Sequence, residues 1–413
     1  MKSLGPGFIT GAADDDPSGI ATYSQTGAMF GYSQLWLSPF SYPLMVAVQE
    51  LCGRIGIVTG RGISSIVRSH YPHSVLVGAI GLLVVANVIN IGADLGAMAA
   101  SLQLIVPLPF PLLLAGMTIF TIGLQVYVPY PLYARYLKYL TFSLLAYVGV
   151  AFIAHIDWGL VAISTFVPHV VYSHAYLLNI AAFLGTTISP YLFFWQADEE
   201  VEEEVQRHEL RTMGAGIPHF TQSDISGMRL DTALGMLFSQ AITFFIIISA
   251  AATLGAHGIA IDTAAQAAEA LRPIAGDFAF LLFAIGIIGT GLLAVPVLAG
   301  SVGYAVAEAF RWREGLSQKP GRAPGFYGMI VAMTLAGVLV NFAPIGPIAL
   351  LYWAAIINGL LAPPLLILLL FIGNDRSIMG AHVNSRLSNV FVGITALIMG
   401  GVAIALIYSL LMA

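Results

Sequence analysis

Three successive carboxylates, Asp14, Asp15 and Asp16, stand inside an otherwise apolar stretch that runs GFITGAADDDPSGIATYSQTGAMFG from Gly7 to Gly31. An acid in hydrocarbon is costly, so it persists there when it faces a partner or a water-filled cavity. Pro17 and Gly19 break the helix beside it, and a broken helix frees backbone carbonyls. A carboxylate and free carbonyls within a membrane have the donor chemistry of a cation site. Neighbours on a helix lie about 100° apart, so the three acids cannot all face one ion. Asp16, at the break, is the expected anchor, with Asp14 and Asp15 as candidates for the ion path.

A second set of breakers appears one half-protein later. Ala181 to Gln196 reads AAFLGTTISPYLFFWQ, with Gly185, Thr186, Thr187, Ser189 and Pro190 at its middle. A proline kink with no transport role accounts for either break alone. Two breaks in corresponding positions instead point to inverted repeats around a mid-membrane site.

The elements that must position these residues are membrane helices. The chain is 58% hydrophobic and 9% charged, with a mean hydropathy of +0.87, which excludes an ordinary soluble domain. Apolar runs long enough to cross a bilayer recur throughout. They place eleven spans near 7–30, 34–58, 75–102, 106–128, 138–156, 177–197, 228–254, 276–308, 326–343, 347–373 and 388–411. The expected fold is an all-α polytopic membrane protein forming a single transmembrane domain over 1–413. Spans 1–5 (7–156) and 6–10 (177–373) make two inverted five-helix repeats, and the eleventh span (388–411) lies outside them.

Charge placement agrees with that count. With a cytoplasmic N-terminus, fifteen of the sixteen Lys and Arg residues fall on one side and only Arg272 on the other. The C-terminus is then extracytoplasmic, and the expected location is a prokaryotic inner or plasma membrane. Lys2 is the only early charge and acids interrupt the first apolar run, so a cleaved signal peptide is not expected. Cys52 stands alone, which excludes an internal disulfide.

The longest connection, 198–227, opens on Asp198-Glu199-Glu200-Val201-Glu202-Glu203-Glu204. It reads as a solvated helix continuing the sixth span, or else as an acidic lip that concentrates cations. The basic 311–325 loop is expected near anionic lipid. The nine histidines show no ligand spacing, Gly60-Arg61-Gly62 belongs to no phosphate loop, and Asn87 and Asn90 are assigned to helix–helix hydrogen bonding, with a place facing the cavity as the alternative.

Asp16-Pro17-Ser18-Gly19 resembles the Asp-Pro-Gly-Asn break in the first helix of NRAMP divalent-metal transporters. Gln49-Glu50-Leu51-Cys52-Gly53-Arg54-Ile55-Gly56-Ile57-Val58-Thr59-Gly60 resembles that family's second-helix signature, and Asn90-Ile91-Gly92-Ala93-Asp94-Leu95 its acidic third-helix segment. Gly185 to Tyr191 is similar to the sixth-helix break, and Pro363 and Met379-Gly380 also fit. The resemblance covers essentially the whole chain and implies a LeuT-type fold with alternating-access transport of a divalent metal.

The departures from that pattern bear on the ion. Gly19 stands where the family has an Asn ligand, Ser189 where it has a Met, and Tyr191 where it has a His. Thr186 replaces the Ala whose carbonyl binds metal, and the tenth-helix Gln aligns near Ala355, with Asn358 one turn on. A thioether favours late transition metals, and a serine hydroxyl does not. Mg²⁺ keeps several waters and takes one or two carboxylates. The expected substrate is partly hydrated Mg²⁺, with Mn²⁺ tolerated, as in the NRAMP-related magnesium branch. Asp16 is expected to anchor it, Thr186 and Ala13 to offer carbonyls, Gly19 and Ser189 to shape a wet cavity, and Asp15, Asp94, Tyr191 and Asn358 to lie along the ion path.

The resemblance also implies a coupling network that is incomplete here. Tyr191 replaces the His, Ala97 stands where a second acid is expected, and no Lys or Arg lies between Phe326 and Gly373, which leaves Asp94 without an evident partner. Uncoupled uptake by a non-enzymatic transporter is expected, with no cofactor and no nucleic acid, working as a monomer in the bilayer. The alternatives are a proton-coupled Mn²⁺/Fe²⁺ symporter and a sodium-coupled amino-acid transporter of the same fold. An intramembrane aspartyl protease would need two carboxylates sharing a proton, and the aspartate motif of such enzymes is not matched at Gly92-Ala93-Asp94.

Overall fold

In the computed structural model, residues 5–129, 132, 142–171 and 173–412 are described. Their architecture is helical; among them the β pairing is one isolated bridge between Thr212 and Ala215. Among the described residues, seven helices are long and apolar enough to cross a membrane, covering the third, fourth, sixth, seventh, eighth, tenth and eleventh expected spans.

The first two spans are helical but fall short of that length or that hydropathy. The first is split into α1 (Pro6–Asp14) and α2 (Pro17–Phe30), and the second is α3 (Leu37–Thr59). A short α4 (Ile63–His70) then leads to α5 (His73–Gln103) and α6 (Phe110–Tyr127). The expected fifth span differs from a straight crossing. Its start, 138–141, lies outside the described residues, and α7 (Leu145–Ile153) and α8 (Trp158–Phe166) are bent 120° apart. The Asp157 carboxylate caps α8 by accepting from Gly159 and Leu160 N–H, which fixes a new helix start just past the expected end of the fifth span.

The second half contains α9 (His174–Thr187), α10 (Pro190–Gln206) and α11 (Gln222–Thr253). It continues with α12 (Ala279–Phe310), α13 (Pro324–Val340), α14 (Pro347–Asn374) and α15 (Arg386–Met412). The broken helices sit inside the bundle: α1 and α2 pack on α11, and α9 packs on α14. Small residues permit the closest approach. A β-carbon on Gly185 of α9 would lie 2.0 Å from the Ala355 carbonyl and 2.3 Å from the Gly359 nitrogen of α14.

The second-helix motif ties α3 in place. Arg54 is buried, pairs with Glu50 at 2.9 Å, and donates to the His382 carbonyl at 2.6 Å and to Asn384 Oδ1 at 2.8 Å. Glu50 also meets Arg229 at 2.8 Å. Asp231 of α11 accepts from the N–H groups of Gly5 and Phe8 at 3.1 Å each, supplying the capping acceptor that the start of α1 lacks.

The acidic run corrects one expectation. It does continue the sixth span as helix, in α10, but it is not solvated: Asp198, Glu200, Glu202 and Glu204 are all buried. The helix runs inward against α3 and α12 instead of projecting into water. Glu202 there accepts from the Leu316 and Ser317 N–H groups and from the Tyr304 hydroxyl, pinning the 311–325 loop to the bundle.

Candidate cation site

Both breaks have the same construction. In the first, Asp15 (φ −81°, ψ 47°) leaves the helix and Asp16 (φ −69°, ψ 170°) is extended before Pro17. In the second, Ile188 (φ −123°, ψ 63°) and Ser189 (φ −79°, ψ 134°) do the same before Pro190. A proline drives the preceding residue out of the helical region, and its ring suits the first position of the next half-helix. Two chain breaks with proline-led half-helices are thus encoded locally.

Asp16 caps the second half of its own helix. Its Oδ1 accepts from the Gly19 N–H at 2.7 Å and the Ser18 hydroxyl at 2.6 Å. Its Oδ2 has one partner, the Tyr191 hydroxyl, at 3.4 Å. One carboxylate oxygen is therefore committed to the fold, and the other is held only loosely.

Three more contacts join the two breaks. The Tyr191 hydroxyl donates to the Ala13 carbonyl at 3.2 Å, Ser18 and Thr186 hydroxyls lie 3.2 Å apart, and Tyr23 and Thr187 hydroxyls 3.1 Å apart. The carbonyls freed at the second break are covered from within, because the Ser189 hydroxyl reaches both Gly185 and Thr186 oxygens at 2.8 Å. Ala13, Thr186 and Asp16 are brought together as expected, but in this conformation both expected carbonyls already have hydroxyl partners.

Gly19 also differs from expectation. A β-carbon there would lie 3.2 Å from the Tyr23 ring, 3.3 Å from the Asp14 carbonyl and 3.4 Å from the Thr186 hydroxyl, so its absence opens little room. The whole site is closed: Asp15, Asp16, Asp94, Thr186, Ser189, Tyr191 and Asn358 are each at most 1% exposed.

Asp14 and Asp15 converge on Ser239 of α11, whose hydroxyl lies 2.8 Å from Asp14 Oδ2 and 3.0 Å from Asp15 Oδ1. Nothing in the sequence singled out Ser239 beyond its being a hydroxyl in an apolar span. Each acid keeps one buried oxygen without a partner, as do both oxygens of Asp94 on α5 and both amide atoms of Asn358 on α14. Asn87 bonds across to the Leu298 carbonyl and Ser301 of α12, as expected. Asn90 does not: both its amide atoms are unpartnered, which corrects its assignment to helix–helix bonding. Among the described residues, no three His, Cys, Asp or Glu side chains are grouped closely enough to hold a metal ion by themselves.

The family described as "Natural resistance-associated macrophage protein-like" (Nramp) matches residues 7–409. A protein named divalent metal cation transporter MntH from Granulibacter bethesdensis is 24% identical, over 98% of this chain and 87% of its own length. One of the same name from Yersinia pestis is 26% identical, over 100% and 96%. Among solved structures, a single-residue mutant of a manganese transporter from Eremococcus coleocola superposes with a TM-score of 0.74 at 15% identity, over 97% and 85% of the two chains. Mhp1, a nucleobase-cation-symport-1 family transporter in a closed conformation, gives 0.64 at 14% identity, over 99% and 92%. Those likenesses establish a LeuT-type fold.

Proposed function

The chain belongs to the Nramp family and is a multi-pass membrane protein, and from that premise we propose that it carries divalent metal cations across the membrane by alternating access at Asp16. The observation that carries this reading is the arrangement of Asp16, whose Oδ1 caps α2 while Oδ2 is left with one 3.4 Å hydrogen bond at the meeting of two helix breaks. A cation entering the opened site displaces the Tyr191 hydroxyl from Oδ2. It then gains the Ala13 and Thr186 carbonyls as their hydroxyl partners turn away.

The ion is Mg²⁺, with Mn²⁺ accepted as a second hard cation of similar ligand demand. Support comes from the donor set, which is one carboxylate with hydroxyls and carbonyls and no thioether at Ser189. A single carboxylate leaves most of the coordination to water, the state that Mg²⁺ prefers. Transport runs down the ion's own gradient without a coupled proton, as Tyr191 occupies the position of the family histidine. The N-terminus is cytoplasmic. Spans 1–5 and 6–10 form the two inverted repeats, consistent with their matching Asp15-Asp16-Pro17 and Ile188-Ser189-Pro190 breaks.

Proton-coupled Mn²⁺ transport is the second reading, and it rests on Asp94, whose buried carboxyl has no partner. Purified protein in liposomes, given Mg²⁺, Mn²⁺ or Ca²⁺ with a pH reporter inside, separates the two. Mg²⁺ uptake with a constant internal pH supports the first reading. Mn²⁺ uptake with internal acidification and no Mg²⁺ uptake supports the second.

A further inference from the structure

The middle of α10, two turns beyond the Pro190 break, carries a buried acid that the transport site does not use. Asp198 is fully buried, and neither of its carboxylate oxygens has a hydrogen-bond partner. It points at Gly62, the residue that opens α4. A β-carbon built on Gly62 would lie 1.8 Å from Asp198 Oδ1 and 2.5 and 2.7 Å from the two Glu308 oxygens. Carboxylates from α10 and α12 therefore converge on one point beside the Gly62 backbone, which only a glycine leaves open.

Glu308 has a structural role there: it accepts from the Gly62 and Ser65 N–H groups at 2.8 and 3.0 Å and caps α4. Asp198 has no such role. The Ser64 hydroxyl, on the same first turn of α4, and Glu314 Oε2 are also without partners. The charges acting most strongly on Asp198 are all carboxylates, from Glu308, Glu314, Glu199 and Glu202. Arg68 is the cation that acts on Glu308 and Glu314, and its guanidinium donates to the Glu308 backbone carbonyl.

A buried carboxylate without compensation is strongly unfavourable. A proton shared between Asp198 and Glu308 would satisfy one oxygen and leave the second Asp198 oxygen, Glu314 Oε2 and Ser64 as they are. A divalent cation with some of its water answers all of them and supplies the missing positive charge. We propose that Asp198 and Glu308 hold a second divalent-cation site, separate from Asp16. Its ligands are the two carboxylates and water, with Ser64 and Glu314 bonding to that water. The bound ion ties α10, which is continuous with the second break, to α4 and α12.

This site does not depend on transport, so it is tested by binding in a background from which Asp16 has been removed. Full-length Asp16→Asn protein in detergent is titrated with Mn²⁺ alone, and bound ion is counted by paramagnetic resonance while thermal unfolding is followed. The expected result is a single bound Mn²⁺ that raises the unfolding temperature. Adding Asp198→Asn or Gly62→Ala is expected to weaken binding by at least about tenfold and to remove the thermal shift. Glu308→Gln in the same background repeats the test if Asp198→Asn does not fold. Absence of Mn²⁺ binding to Asp16→Asn protein, or undiminished binding after Asp198→Asn or Glu308→Gln, overturns the proposal.

Discussion

The Tyr191 hydroxyl donates to Asp16 Oδ2 at 3.4 Å and to the Ala13 carbonyl at 3.2 Å, so one phenol from the second broken helix closes the break in the first. The contact couples the two halves of the fold at the point where an ion would bind. It also covers two of the oxygens that the proposed cation would take.

Removing that hydroxyl tests the coupling. Tyr191→Phe keeps the ring packing and deletes both hydrogen bonds, at a net cost of about 1–2 kcal/mol. Unfolding temperature is expected to fall modestly, while Mg²⁺ uptake into liposomes persists, because in the proposed cycle the ion takes the place of the Tyr191 hydroxyl. Abolished uptake in a well-folded variant would show that the phenol is itself needed for binding.

Ser189→Met tests the choice of metal. A thioether at the second break adds a soft donor beside Asp16. Competition by Cd²⁺ against Mn²⁺ uptake is expected to strengthen by about tenfold or more, a difference of ~1.4 kcal/mol, and Mg²⁺ uptake to decline. Unaltered competition would mean that position 189 does not face the ion.

Gly185→Ala tests the packing that holds the second break. The added methyl would meet the Ala355 carbonyl and the Gly359 nitrogen at sub-contact distance. Separation of α9 from α14 is expected to cost about 1–3 kcal/mol, read as a lower unfolding temperature in detergent, with transport impaired in proportion to displacement of the Thr186 region.

Glu314 gives a pH signature outside the membrane spans. Burial, and next the Glu308 charge, push its carboxyl from 4.5 up to about 9. The folded protein holds a proton there that the unfolded chain has released, so this group's contribution to stability declines as pH rises from 4.5 towards 9. In metal-free buffer the unfolding temperature is expected to drop across that range, and Glu314→Gln to flatten the drop. A variant with the same pH profile as the parent would remove Glu314 as its cause.

Much of this was readable from residue types alone. Asp16-Pro17 and Ser189-Pro190 encode breaks through local backbone sterics, so both could be placed from sequence. Hydropathy found the long helices, but it could not anticipate the 120° bend between α7 and α8. What stayed hidden depends on partners far along the chain. The Asp198–Glu204 run reads as solvated because charge pattern reports composition, whereas its burial follows from where α3 and α12 lie. Ser239 meets Asp14 and Asp15 across more than two hundred residues. Gly19 looked like missing volume until Tyr23 and Thr186 were seen to fill it.

The central claim is that the Asp16 charge holds the transported ion. Asn can still cap α2, since its side-chain oxygen accepts the Gly19 N–H as aspartate does, so Asp16→Asn separates charge from fold. The decisive measurement is the initial rate of Mg²⁺ uptake into liposomes by parent and Asp16→Asn proteins of equal unfolding temperature. The account predicts at least about a tenfold loss in the variant, and uptake at the parent rate would contradict it.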